Sequence, residues 1–455
     1  MSTRPPRRRV VAAGLAASAS ALLGSCAMGG AGGADGGPRE LGGEGEDDGS
    51  EGKGGHRLTG EITVWSWDVA ATAMKRLRGA FEERHPGVSV DVVDIGYDNA
   101  YDKITVGLRG GTGLPDVLTM EGSYLPRYTA NFPGGFYDLV RRGGRYRGDF
   151  DRAAWRTVTG GAGRERIFGI PWDIGPCALY YRTDHLRAAG VDPKSLRTWG
   201  DYVRVGVRVK EATGHKLLVH DPTGPGMFPM LLQQQGQSAF LGGRIALETP
   251  AAVRALTLMK RLAEKGLIAY EKNWDGLVTA TKEGKVSTNP IAAWWTGTLT
   301  DEMPELKGKF GVVPLPGFTA DGVRTSNIGG STLCIPAQSE QAQAAWEFIR
   351  FVLTDRANQV AMLKREGLFP AHLPALDDPY LSERQEYFGG QRANAVFARL
   401  ARTIPPVEYT KDDAKERDIA TSAVNGVLLH GKDPRASLVS AAERLADATG
   451  RKRVA

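Results

Sequence analysis

The chain has few of the residues that metal and redox chemistry draw on: three cysteines, Cys26, Cys177 and Cys334, and seven histidines in 455 residues. A metal centre wants such side chains clustered at ligand spacing, and these are scattered, so no metal or other cofactor is expected. A Gly-x-x-x-x-Gly-Lys-Ser/Thr loop is missing, which argues against an ATPase. No Gly-x-Ser-x-Gly elbow, Ser/His/Asp spacing or poised carboxylate pair stands out, so hydrolysis has no visible machinery and the chain is not expected to be an enzyme. A long basic stripe with interleaved aromatics, the footprint of nucleic-acid binding, is also missing. The formal net charge of +6 includes Arg4, Arg7, Arg8 and Arg9, and falls to +2 without the segment that carries them.

That segment reads as an address. Arg7-Arg8-Arg9 precedes a small-residue apolar run that ends in Leu23-Gly24-Ser25-Cys26 and is too short to span a bilayer permanently. Residues 1–25 are therefore expected to be removed as a signal peptide. The Leu-Gly-Ser-Cys ending resembles a bacterial lipobox, which implies a diacylglycerol thioether on Cys26. An ordinary signal peptide with a chance cysteine is the alternative. The arginines also resemble a twin-arginine export signal, and that route and the general secretory route both stay open. From 27 to 57 the chain is mostly glycine with scattered Asp and Glu and has almost nothing to bury, so 26–57 is expected to form a flexible tether.

Beyond residue 58 there is length enough for two lobes of ordinary domain size. Glu61-Ile62-Thr63-Val64-Trp65 reads as a strand, followed by a helix with Met74, Leu77 and Phe81 on one face and a stop at Pro86-Gly87. Val88, Val90 and Val92 alternate as a second strand, and a helix bearing Tyr101, Ile104 and Leu108 leads to a third at Leu114-Pro115-Asp116-Val117-Leu118. This alternation predicts a parallel sheet flanked by helices, with ligands beyond the carboxyl ends of the strands, at 65–68, 95–98 and 119–123. Further on, Gly169-Ile170-Pro171-Trp172-Asp173-Ile174-Gly175-Pro176 reads as a strand that stops, turns and resumes, a crossing between lobes with Trp172 and Asp173 facing a cleft. An edge strand bent at its prolines fits the same residues.

In this order, Ile62-Thr63-Val64-Trp65, Pro86-Gly87-Val88-Ser89-Val90, Leu114-Pro115-Asp116-Val117, Gly169-Ile170-Pro171-Trp172-Asp173 and Lys309-Phe310-Gly311-Val312-Val313-Pro314-Leu315-Pro316 resemble the family 1 extracellular solute-binding proteins, which include the maltose-binding protein. The resemblance covers nearly everything after Leu58. It implies a two-lobed α/β fold of the periplasmic-binding-protein kind, each lobe a mostly parallel sheet flanked by helices, joined by a hinge that the chain crosses several times. On this sequence, 58–173 and 329–375 then form the first lobe, and 174–328 and 376–455 the second, with helices near 412–429 and 434–448 packed back on it. The implied role is capture of a sugar or oligosaccharide between the lobes and delivery to ABC transporter permease subunits. A monomer held at the outer face of the cell membrane by its lipid would do this. A non-sugar ligand (polyamine, phosphodiester or peptide) is the alternative, with an extracellular carbohydrate-active enzyme more remote.

A sugar ring offers apolar C–H faces and a rim of hydroxyls, so its site needs aromatic platforms and polar partners. The ligand-binding candidates are Trp67, Asp68, Tyr97, Asp116, Glu121, Trp172, Asp173, Trp295, Gly330, Ser331 and Phe369. Core packing is the plainer role for each tryptophan, and turn capping for Asp116. Trp294 and Trp295, read as neighbours on a strand, point to opposite faces, so one at most meets ligand. Trp155, Trp199, Trp274 and Trp346 fall away from the predicted strand ends and crossings. Where many family members place an aromatic two residues after the position of Gly297, this chain has Leu299, which implies either a platform moved to Trp295 or a lost subsite. Cys177 and Cys334 fall on opposite sides of two antiparallel crossings, about eight residues apart at ~3.3 Å each, far beyond the ~7 Å that a disulfide tolerates, so both are expected to be free buried thiols.

Overall fold

The computed structural model describes residues 37–42, 58–160 and 165–454; the signal peptide, Cys26 and most of the expected tether lie outside the described residues. The first sheet has five strands in the order Val88–Asp94, Gly60–Ser66, Val117–Glu121, Ser331–Cys334, Ile170–Pro171. Its first three strands are parallel, because the helices Asp68–Arg84 and Tyr97–Gly110 carry the chain back to the same edge between them. Burial follows position. The edge strand Val88–Asp94 alternates buried and exposed residues, whereas the inner strand Val117–Glu121 buries four of its five.

The second sheet has Cys177–Arg182 in the middle, with Thr288–Ala292 and Phe310–Pro314 beside it, both antiparallel. This corrects the expectation of a mostly parallel sheet in each lobe. Cys177–Arg182 runs away from the crossing while both neighbours run back toward it, so their pairing has to be antiparallel. One apolar cluster joins the first sheet (Ile62, Val64, Met120) to one face of the second (Tyr180, Phe310), together with Phe397. Another, around Trp199, Tyr202, Phe228 and Leu256, covers the other face. The two C-terminal helices, Asp413–His430 and Pro434–Thr449, pack there against Pro250–Glu264.

Side chains cap some of the helix starts and leave others without a cap. Thr249 accepts from the Ala252 amide, and Asp355 from those of Ala357 and Asn358. Ser339 opens no helix: Gln341 stands at the cap of Ala342–Thr354, and the Ser339 hydroxyl donates to Asp116 at 2.6 Å.

The chain passes between the sheets at 172–176 and at 327–330, and these two segments run antiparallel. The Ile328 amide donates to the Gly175 carbonyl at 3.0 Å, and the Gly175 amide to Asn327 Oδ1 at 2.9 Å. A third segment joins them where Asp173 bridges Pro370. Only glycine fits at 175, because a Cβ there would sit 1.8 Å from the Ile328 carbonyl oxygen. Cys177 and Cys334 lie on different sheets, free and buried.

Residues 37–42 depart from the tether expectation. Leu41 is 4% exposed, its amide donates to the Asp138 carbonyl at 2.9 Å, and the Asp138 amide donates to Arg39 at 2.8 Å. One leucine among glycines and charged residues is enough, given the backbone partners at Asp138 and the apolar cluster that Leu41 enters.

Candidate ligand cleft

Because Gly60–Ser66 and Val117–Glu121 are parallel, their carboxyl ends meet at one edge of the first sheet. Trp67 follows the first strand and lies edge-on to Tyr97, ring centroids 5.6 Å apart, and 6.2 Å from Tyr101. Tyr101 stacks on Tyr124 at 4.1 Å. Glu121 ends the other strand among these rings: the Tyr97 hydroxyl donates to its Oε1 at 3.1 Å, and its own amide donates to the Tyr101 hydroxyl at 3.0 Å. Burial pushes the Glu121 carboxyl up to about 7, and burial with the neighbouring carboxylate raises the Tyr97 phenol. Tyr97 still leaves 38% of its surface open. Asp68 is exposed and opens its helix at φ 45°, a strained conformation for a residue with a side chain.

The crossings supply the floor. Asp173 Oδ1 accepts from the Ser331 amide at 2.7 Å, and burial pushes this carboxyl up to about 6. Gly329 and Gly330 have φ 74° and 101°, and the Gly330 carbonyl takes the Gly122 amide at 2.9 Å. Over this floor opens a cavity of about 560 Å³, with Gly122, Ser123 and Thr157 on the first-lobe side and Gln233, Phe240 and Tyr409 on the other. Burial pushes the Tyr409 phenol up to about 12, against a hydrogen bond from Asn327 that lowers it. Arg417, on Asp413–His430, acts on Glu121, Tyr97 and Tyr124 through its charge, so a second-lobe cation offsets a first-lobe carboxylate.

Of the sequence candidates, Asp173, Gly330 and Ser331 line the cavity, and Trp67, Asp68, Tyr97 and Glu121 gather at the edge of the first sheet. Four do not join them. Asp116 precedes Val117–Glu121 at its far end, and its carboxylate takes the Thr63 amide at 2.9 Å and the Ser339 hydroxyl, which makes it a brace. Trp172 is 1% exposed, its Nε1 without an acceptor, and Trp295 and Phe369 are fully buried in the core.

Trp295 is buried because the strand ends at Ala292 and a helix, Trp295–Glu302, begins at once, so Trp294 and Trp295 are not strand neighbours. Trp294 is the one turned to the crossing: its Nε1 donates to the Ile328 carbonyl at 3.0 Å, while Leu299 lies in the core. Beside it is Trp274, which the strand-end rule passed over. It is 38% exposed and 5.8 Å from Trp294, on the helix Asn273–Lys282. Its signal in sequence was a tryptophan set in Glu271-Lys272-Asn273-Trp274-Asp275, with no apolar neighbour to pack against. Among the described residues no group of His, Cys, Asp or Glu is arranged to hold a metal ion, and no helix is long and apolar enough to cross a membrane.

Two lobes closing over a cavity floored by the crossing segments are the arrangement of a solute-binding protein. Residues 66–359 match the family model described as bacterial extracellular solute-binding protein, and the chain belongs to that family. It is similar to the lactose-binding protein of Rhizobium radiobacter, 27% identical over 77% of this chain and 84% of that one. It is also similar to the arabinooligosaccharide-binding protein of Bacillus subtilis, 23% identical over 87% and 93%. Among solved structures, the ABC transporter associated binding protein from B. animalis subsp. lactis Bl-04, in complex with beta-1,6-galactobiose, shares the fold with a TM-score of 0.74. That match is 22% identical and covers 86% of this chain and 97% of that one.

Proposed function

We propose that the chain captures a sugar or oligosaccharide in the cleft and delivers it to the permease of an ABC importer. It acts as a monomer held at the outer face of the cell membrane by a lipid on Cys26, with no catalytic step of its own. The observation that carries this reading is the chemistry of the two walls. On the first lobe the open face of Tyr97 stands beside Glu121, and on the second the open Trp274 lies beside Trp294, whose indole reaches the crossing at Ile328; Asp173 and the hinge amides supply polar partners at the floor. A ring with apolar faces and a hydroxyl rim needs both. The names of the two curated relatives agree with it.

A thermal-shift screen of the purified mature chain tests it, because a ligand that binds only the folded state raises the melting temperature, by about 2.7 kcal/mol of stabilisation at a hundredfold excess over Kd. A restricted set of di- and oligosaccharides is expected to give the shift. A shift from polyamines, phosphodiesters or peptides, with none from sugars, overturns the sugar assignment. Mass spectrometry of the native N-terminus tests the anchor: a mature chain that starts elsewhere than Cys26, or carries no lipid, overturns that part.

A further inference from the structure

We propose that residues 37–42 are a docking strap that makes the edge at 138–142 the membrane-facing edge of the first lobe; this rests on the lipidated Cys26 of the proposed function. The strap runs beside the lobe as a short parallel strand, Glu40 bridging Asp138, with the Leu41 amide on the Asp138 carbonyl and the Arg39 carbonyl on the Asp138 amide. Leu41 enters the first-lobe core cluster. On either side of it, Glu40 pairs with Arg141 at 2.5 Å, and the buried Arg142 donates from Nε to the Gly42 carbonyl. The seat is fixed by the lobe itself: Asp138 is buried, and its Oδ1 accepts from the amides of Val140 at 3.0 Å and Ile167 at 3.1 Å. Each of these contacts is to the first lobe.

The consequence is a shorter leash. Counted to Leu58, where the body begins, the chain after Cys26 would let that body stand up to ~115 Å from its anchor at ~3.6 Å per residue. With the strap docked, only the residues from Cys26 to Gly37 separate the anchor from the docked edge, which can lie no farther than ~40 Å from Cys26 on the same measure. The first lobe is thus held by one edge at the membrane, while none of the strap's contacts restrains the second lobe.

Hydrogen exchange on the delipidated mature chain tests the dock without the membrane. The Leu41 amide is expected to exchange at least tenfold more slowly than in Leu41→Asp, with ligand affinity unchanged, since Leu41 is remote from the cleft. Energy transfer then tests the orientation, using the lipidated full chain in phosphatidylcholine vesicles with headgroup acceptors. Donors are placed on Arg147→Cys, whose parent side chain pairs with Glu165 next to the Arg166 that reaches Gly37, and, separately, on Arg435→Cys in the second lobe. Transfer is expected to be at least twofold greater from position 147, and Leu41→Asp should remove the difference. An unprotected Leu41 amide in the parent overturns the strap. A protected amide with equal transfer from both positions overturns the membrane-facing edge, and failure of the chain to join vesicles overturns the anchor on which it rests.

Discussion

The two walls of the cleft are built by different rules. On the first lobe, parallel strands end at one edge, and Trp67 just past one end and Glu121 at the other collect there with Tyr97 from the helix start beside them. On the second lobe the central sheet is antiparallel, so strand ends alternate between its two edges. Its contributions to the cavity come instead from a helix end and loops, at 233–241 and 404–409. A parallel sheet writes its site into the ends of its strands, whereas an antiparallel one leaves the site to its connections.

The hardest test of this contrast is Trp172→Ala and Trp295→Ala. Both side chains are buried in the apolar cluster that spans the lobes, so each truncation is expected to cost about 3–5 kcal/mol of unfolding free energy. Denaturant titration of the ligand-free protein reads this directly. A variant as stable as the parent but unable to bind would return that tryptophan to the cleft wall.

Next in size is Gly175→Ala at the crossing. The added methyl has no room against the Ile328 carbonyl, so the paired segments must part, at about 3 kcal/mol. Small-angle scattering with and without ligand should show impaired closure together with the lost stability. Parent-like closure and melting would mean that the crossing segments can part at Gly175 at little cost.

The first lobe was legible because its signals are local and periodic. Met74, Leu77 and Phe81 face one way, Val88, Val90 and Val92 alternate, and the Pro171 to Pro176 junction can be neither helix nor plain strand. Strand direction in the second sheet was not legible, since an apolar run such as Cys177–Arg182 looks the same whichever way its partners run. Nor does anything in Ala292-Ala293-Trp294-Trp295-Thr296-Gly297 mark where strand gives way to helix: no side chain caps that helix, and Trp295 is set inward by the packing of Gly297 against the Glu366 carbonyl of the first lobe. The strap was hidden for a related reason. Its composition predicts disorder, and only a long-range edge at Asp138 supplies a partner.

The first wall should also respond to pH, because it carries a half-buried carboxylate. The Glu121 pKa is raised in the folded protein to about 7 by burial, so its ionisation opposes folding. The associated stability is present below the unfolded value near pH 4.3 and is lost as pH rises through about 7, at roughly 2 kcal/mol for a carboxyl that is only partly enclosed. Glu121→Gln keeps an acceptor for the Tyr97 hydroxyl and removes the ionisation. Between pH 5 and 8 the urea midpoint of the parent should fall relative to that of the variant. Parallel profiles would mean that Glu121 is solvated well enough to ionise freely.

The smallest effect decides whether the second wall holds ligand at all. Trp274 is half open and outside any strand, so Trp274→Ala should leave the ligand-free melting curve close to that of the parent. If its face carries a sugar ring, Kd should rise about tenfold, which is about 1.4 kcal/mol, measured by calorimetry with the sugar found in the screen. Tyr97→Ala on the opposite wall gives the comparison. When both rings grip one sugar unit, the double variant should lose less than the two single losses combined, because removing either wall already loosens that unit; when they serve separate units, the losses should add. A Trp274→Ala protein that binds with the parent's affinity would leave the aromatic contacts to the first wall, and the second lobe would then close on the sugar through Arg417, Tyr409 and the backbone of its loops.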